Sequence, residues 1–429
     1  MNSSTLSRDH LPKQIESGSL TTTTTVSLDS LMSQKSSKPL AEIVYLSALY
    51  PSHVYPMLGY FSELEAQGFK FDVYGPKNIL KLFSQDDRNL FEFPELEVNE
   101  TEGTLGVFKI TCRGLLQTLP AIEAMWNERK WKPKVIIADF AVTYPLYLAR
   151  KLGIPLLVYF PFYFTGDPER LIFNAVEKGM MWMPDFKAME MWSQVLMEYG
   201  VLIKNSEQIL IKGDVNFSSM PAFIGDRVWS PKGDNFYAGP GFRDVTAIDK
   251  TDFDDSLLEG DDIIFVSLGT HFLNSLSPVI YENIAEAFSC TSEKVIITAS
   301  KEIVERLERK KLPKNIHVMT WVPQLKVLQH TKLFVTHAGT GGWLEGIAAG
   351  VPMLCVPNYC EQFINAQMTE KLNLGKWLRK DRSPQAIRKL AEEILADERI
   401  KRSCLIYQKL IDKNDARQKF VDIVKSMIN

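Results

Sequence analysis

The chain has 429 residues, 45% of them hydrophobic and 24% charged, with a formal net charge of -3. That is enough apolar material for two or three cored domains, and it lacks the basic excess of a nucleic-acid or anionic-membrane binder. Five cysteines without a Cys-x-x-Cys pair and six histidines without a compact ligand spacing exclude a disulfide framework and argue against a structural metal, so a reducing, cytoplasmic setting is expected.

Residues 1–38 are rich in Ser and Thr, lack the apolar core of a secretory signal and read as a disordered tail. No run of 18 apolar residues follows, so no transmembrane helix is expected. From about residue 40, short apolar runs alternate with helix-like stretches. Glu42–Ser47 reads as a strand, followed by a helix to about Gln67 that stops at Gly68, then Phe69–Tyr74 as a strand. Val135–Ala138 is a buried strand. Thr143 is placed to cap a helix over Leu146–Leu152, Gly153 ends it, and Leu156–Tyr159 is the next strand. Tyr159–Leu202 is dense in aromatics and methionine. It reads as a helical core, as a deformable apolar pocket for a bulky ligand, or as both. Phe160, Phe162, Tyr163, Phe164 and Trp182 are its candidate lining residues.

A Gly- and Asp-rich stretch, Ala238–Asp262, reads as a linker. The rhythm then restarts with strands at Ile263–Val266, Lys294–Thr298, Ile316–Met319, Leu333–Thr336 and Met353–Val356. Helices are expected near Val279–Phe288 and Lys301–Arg309, from Gly341, and from about Glu361. Such alternation gives an α/β fold: two doubly wound domains of parallel strands with a cleft between them, ligands binding beyond the carboxyl ends of the strands.

The chemistry-bearing residues fall at those strand ends. Ser267, Gly269 and Thr270 close the Ile263 strand and can donate to an anion. His337 ends the Leu333 strand; Gly339, Gly341 and Gly342 lead into a helix that carries Glu345. A Gly-rich turn into a helix start presents free N–H groups and the positive dipole end. Glu345 can span two vicinal hydroxyls, as on a ribose, and Trp321 offers a flat face for a base. Glu361 and Gln362 can grip sugar hydroxyls. Neither Gly-x-Gly-x-x-Gly nor Gly-x-x-x-x-Gly-Lys-Ser/Thr occurs, which removes the main signals for dinucleotide and P-loop sites. In the first half, His53 sits where a strand hands over to a helix. It is either a loop histidine or a catalytic base.

The ordered set Trp321-Val322-Pro323-Gln324, His337-x-Gly339, Glu345, Gly350-Val351-Pro352 and Glu361-Gln362, with Asn365-Ala366 behind it, resembles the donor signature of family 1 nucleotide-sugar glycosyltransferases. Val266-Ser267-Leu268-Gly269-Thr270 adds a likeness to the bacterial macrolide-type subgroup. The resemblance runs from about residue 40 to the C-terminus and is densest over 263–370. It implies a GT-B fold of two facing Rossmann-like domains and an inverting, metal-independent reaction with no cofactor beyond a UDP-sugar co-substrate. It also implies an acceptor domain over 39–240, a linker at 241–262, a donor domain over 263–413, and a final helix at 414–429 crossing back to the first domain. Carried over, Trp321 stacks on the uracil with Val322 also in the donor site, Gln324 and Glu345 meet the ribose, and His337 the pyrophosphate with Thr270 near it. Glu361 and Gln362 hold the hexose.

The same resemblance assigns His53, in Ser52-His53-Val54-Tyr55-Pro56, as the base, and Asp139 as the carboxylate behind it. It implies transfer of a hexose, glucose by default, to a hydroxyl of a lipophilic small molecule, without nucleic-acid or stable membrane partners. One position departs from the pattern: Gly342 stands where the family carries a hydroxyl. Such a hydrogen bond contributes on the order of 1.5–3 kcal/mol, or ten- to a hundredfold in donor affinity. Gly342 therefore keeps open a catalytically weakened GT-B binding protein; a GT-B sugar-nucleotide epimerase is a further alternative.

Overall fold

A computed structural model describes residues 39–47, 51–83, 88–93, 118–140, 144–164, 213–228, 230–243, 253–260, 262–269, 277–289, 291–358, 361–413 and 415–429. The tail at 1–38, Thr143, Trp182, Thr270 and most of Tyr159–Leu202 lie outside the described residues.

Among the described residues, thirteen strands form two sheets. The first holds β1 (Ile43–Leu46), β2 (Phe71–Pro76), β3 (Leu90–Phe93), β4 (Val135–Asp139), β5 (Leu156–Phe160), β6 (Val215–Ser218) and β7 (Asn235–Tyr237). Their order is β3-β2-β1-β4-β5-β6-β7, every neighbouring pair parallel. The second holds β8 (Ile263–Ser267), β9 (Lys294–Thr298), β10 (Ile316–Met319), β11 (Thr331–Thr336), β12 (Met353–Cys355) and β13 (Gly375–Trp377). Its order is β10-β9-β8-β11-β12-β13, again wholly parallel. β1, β4 and β5 are buried at every position, the mark of parallel strands covered on both faces. The doubly wound α/β fold expected from the sequence is present in both halves.

The first sheet is served by helices α1 (Pro51–Ala66), α2 (Leu119–Glu128) and α3 (Tyr144–Leu152). The second has α4 (Pro278–Ala287), α5 (Lys301–Glu308), α6 (Gln324–Leu328), α7 (Thr340–Ala348), α8 (Glu361–Lys371), α9 (Pro384–Ala396) and α10 (Glu398–Asp412). The strands and helices expected from the sequence stand within two residues of these bounds. β3, β6, β7 and β13 were not expected, and their residues explain why. β7 and β13 are three residues each, and β6 carries Asn216 and Ser218 in a polar context. Pairing with a neighbouring strand, more than an apolar run, marks β6, β7 and β13 as strands.

The last helix, α11 (Ala416–Ile428), packs on α1. Buried Phe420 packs against Tyr60 at 5.0 Å and Phe217 at 5.2 Å, both tilted, and meets Phe61 edge-on at 6.1 Å, so α11 belongs to the core of the first sheet. No helix among the described residues is long and apolar enough to cross a membrane.

The start of the stretch read as a linker lies against the first half. Ala238 and Gly239 are buried, Tyr60 Oη donates to the Gly239 carbonyl, and Arg417 on α11 donates to the Phe242 carbonyl. Gly59 permits this closeness, since a Cβ there would run into the carbonyl oxygens of Gly241 and Phe242. Gly59→Ala is therefore expected to push this run off α1 and to destabilise the protein by about 1–3 kcal/mol despite the better helix propensity of alanine. A thermal melt measures it; an unchanged or raised Tm would mean that the run yields freely.

Candidate active site

Each sheet reverses its winding at one place: between β1 and β4 in the first, between β8 and β11 in the second. Crevices open beyond the carboxyl ends of strands at such switch points. His53 follows β1 and Asp139 ends β4; Ser267 ends β8 and His337 follows β11. The predicted residues of both halves thus stand at the two switch points.

His53 lies in the first turn of α1 with its side chain 23% exposed, and Asp139 is fully buried. Nδ1 is 3.1 Å from Oδ2 and 3.2 Å from Oδ1 of Asp139, across 86 residues of sequence. A carboxylate only accepts, so Nδ1 carries the proton and Nε2 is left as the basic nitrogen. Phe140 stacks on the imidazole at 5.9 Å and fixes the ring plane. Burial pulls the imidazole pKa down, but the charge and hydrogen bond of Asp139, joined by the charge of Glu361, outweigh it and leave the pKa above its ordinary 6.5. Glu361, at the start of α8, is pushed up by burial, with its own backbone and His53 pulling the other way.

The turn from β11 into α7 is tightly built. Ala338 has a positive φ of 62°, and its N–H donates to Thr336 Oγ1 at 3.2 Å. A side chain at Gly339 would collide with the His337 ring. Buried Asn365 on α8 donates to the Ala338 carbonyl at 2.8 Å and to Thr340 Oγ1 at 3.3 Å, clamping the turn from behind. The first bond into the helix runs from Trp343 N–H to the Gly339 carbonyl, so the N–H groups of Gly341 and Gly342 head the helix as an anion cradle. Burial drives His337 down to about 4, a hydrogen bond with the Ser267 backbone opposing it. It is therefore a neutral imidazole at physiological pH, not a cation. Gly269, with φ of 88°, turns the chain at the end of β8 beside it.

Glu345, on α7, is held on both oxygens. Arg243 Nη1 donates to Oε1 at 3.0 Å and Gln324 Nε2 to Oε2 at 2.5 Å. Arg243 was not singled out in the sequence: one arginine after Gly-Pro-Gly-Phe carries no signal for a partner 102 residues away. Trp321 follows β10 and is 38% exposed, so its face is accessible, whereas Val322 is buried in the core. Gln362 is also buried, and its Oε1 accepts from Asn358 N–H at 2.9 Å, so part of its hydrogen-bonding capacity holds its own loop. Tyr55 and Pro56 of α1, Arg243, and Gly341 and Glu345 of α7 line one crevice between the halves.

The aromatic residues expected to line an acceptor pocket divide. Phe160, Tyr163 and Phe164 are buried, packed with Phe140 and Tyr237, while Phe162 is half-buried and meets Phe140 edge-on at 4.6 Å. Of these four, Phe162 alone offers appreciable surface. An aromatic run after a strand satisfies the core first, because that is where its area is removed from water.

A family profile described as UDP-glucoronosyl and UDP-glucosyl transferase matches residues 255–414. This span holds the whole turn, Glu345, Glu361 and the Trp321 strand end. Residues 255–414 thus carry the signature of the UDP-glycosyltransferase family. Members of it are enzymes that move a glycosyl group from a nucleotide sugar to a small-molecule acceptor. The chain is 27% identical to the NDP-glycosyltransferase YjiC of Bacillus licheniformis over 327 residues, 73% of this chain and 76% of that protein. It is 30% identical to the oleandomycin glycosyltransferase of Streptomyces antibioticus over 165 residues, 38% of each chain. Among solved structures, the glycotransferase of kitacinnamycin superposes with a TM-score of 0.77 at 21% identity, covering 91% of this chain and all of that one. That likeness bears on the fold, and the GT-B arrangement expected from the sequence holds.

Proposed function

We propose that this chain transfers a hexose, glucose as first candidate, from a UDP-sugar to a hydroxyl of a lipophilic natural product, with inversion at the anomeric carbon. The observation that carries the proposal is the His53–Asp139 pair, two residues along α1 from Tyr55, which lines one crevice with Gly341 and Glu345 of α7. His53 Nε2 takes the proton of the acceptor hydroxyl as the oxygen attacks the anomeric carbon. Asp139 steadies the imidazolium that forms. The bond from that carbon to the diphosphate breaks, and the departing charge is met by the α7 helix start, its Gly341 and Gly342 N–H groups, and His337.

In this reading Trp321 stacks on uracil, Gln324 and Glu345 take the ribose, and Glu361 with Gln362 takes the hexose. The first half binds the acceptor and the second the donor. A carboxylate facing the sugar of the nucleotide favours a ribose and hence UDP over a deoxy nucleotide. Phe162, beside the Phe140 that stacks on His53, supports an apolar acceptor, as do relatives named for oleandomycin and kitacinnamycin. The test of the stereochemistry is proton NMR of the product made from an α-linked UDP-hexose: a β-linked glycoside is expected, and an α-linked one would rule out the single displacement.

Gly342 supplies a second test. A Cβ there would meet Gln324 Nε2 at 3.4 Å, an ordinary contact, and its backbone is not left-handed. Gly342→Ser is expected to tighten UDP binding about tenfold by returning a hydroxyl to the diphosphate, and to firm the helix. Isothermal titration with UDP reads it; weaker binding would mean that the glycine is needed for close approach of the donor.

A further inference from the structure

Arg243 is the residue through which the first half of the chain enters the donor side of the crevice. The backbone just before it is fixed on α1 and α11 by the contacts of Gly239 and Phe242 described above. Its guanidinium lies 5.1 Å from the ring centre of Tyr55, just past His53 on α1. Its Nη1 then reaches Glu345 Oε1, the two side chains being 12% and 11% exposed. Arg243 is thus braced from behind and charge-paired in front, an arrangement that holds a carboxylate in one orientation.

The number of bonds on that carboxylate is informative. An ionised carboxylate has about four lone-pair positions, two on each oxygen. Arg243 uses one on Oε1 and Gln324 uses one on Oε2. One acceptor position per oxygen stays open, which is what a pair of vicinal hydroxyls requires. The geometry points to Arg243 as a positioning residue for the nucleotide ribose: it acts through Glu345, fixing the carboxylate so that each oxygen presents one acceptor site to the 2′ and 3′ hydroxyls. The inference rests on the reading of Glu345 as the ribose-binding group. It also makes the half that carries His53 a contributor to ribose selection.

The experiment titrates UDP and 2′-deoxy-UDP into the wild-type protein, Arg243→Ala and Arg243→Lys, with a thermal melt of each. The wild type is expected to prefer UDP by about tenfold, the value of a lost hydrogen bond to a charged group. Arg243→Ala is expected to weaken UDP about tenfold while weakening 2′-deoxy-UDP less than threefold, so that the preference collapses. Arg243→Lys, with a charge but no planar fork, should keep an intermediate preference. Equal weakening of both nucleotides would reveal a direct phosphate contact or a general structural loss and overturn the inference, as would an unchanged preference in Arg243→Ala. A wild type that binds both nucleotides equally would remove the ribose reading of Glu345 itself, and the role of Arg243 with it.

Discussion

His53→Ala is expected to lower kcat/KM roughly a thousandfold, within the range of a lost general base, while UDP binds as before. The two halves of this expectation come from the same geometry. The imidazole stands in the first turn of α1, two residues before the crevice-lining Tyr55, with its Nδ1 committed to Asp139, which leaves Nε2 for substrate. The groups expected to hold the nucleotide stand on β8, α6, α7 and the β10 end, in the other half of the chain. Removing the ring therefore takes away proton abstraction and leaves the donor site whole. UDP titration alongside steady-state kinetics separates the two; full activity in His53→Ala would show that another group takes the proton.

Asp139→Asn is expected to cost about 10²–10³ in kcat/KM and to leave a second signature in the pH profile. The base works deprotonated, so activity falls as pH drops through the His53 pKa. In the wild type that pKa is raised by Asp139 and Glu361 against the opposing effect of burial, and the acid limb should lie above 6.5. An asparagine keeps the shape of the buried side chain but removes the charge. Burial then dominates, and the acid limb should move down. A pH series of kcat/KM for both proteins checks it. A lower rate with an unmoved limb would mean that Asp139 supports the fold around β4 without setting the histidine. The double variant with His53→Ala should be little worse than His53→Ala alone, because the two act as one unit.

The strand ends were readable because their information is local. Val135-Ile136-Ile137-Ala138-Asp139 announces a buried strand with a carboxylate at its tip, and the β11–α7 turn names its own glycines. Parallel α/β topology then gathers strand ends on one side, so separate motifs meet in one crevice. What escaped the sequence depends on distant partners. Arg243 is a single charge in a Gly-rich stretch until the fold carries it to Glu345. Gly59 looks like a poor helix residue until the Phe242 carbonyl is seen against it. Aromatic density after β5 could not separate core from pocket. Phe160, Tyr163 and Phe164 went inward, and only their burial in the folded chain tells them from half-buried Phe162.

The most direct test is to mix the protein with UDP-glucose and a panel of phenolic and macrolide acceptors, following UDP release together with product mass. The account predicts acceptor-dependent UDP release matched by a gain of one hexose on the acceptor, and its loss in His53→Ala. Absence of any mass gain across several UDP-sugars, with no rise in Tm on adding UDP at millimolar concentration, would contradict it.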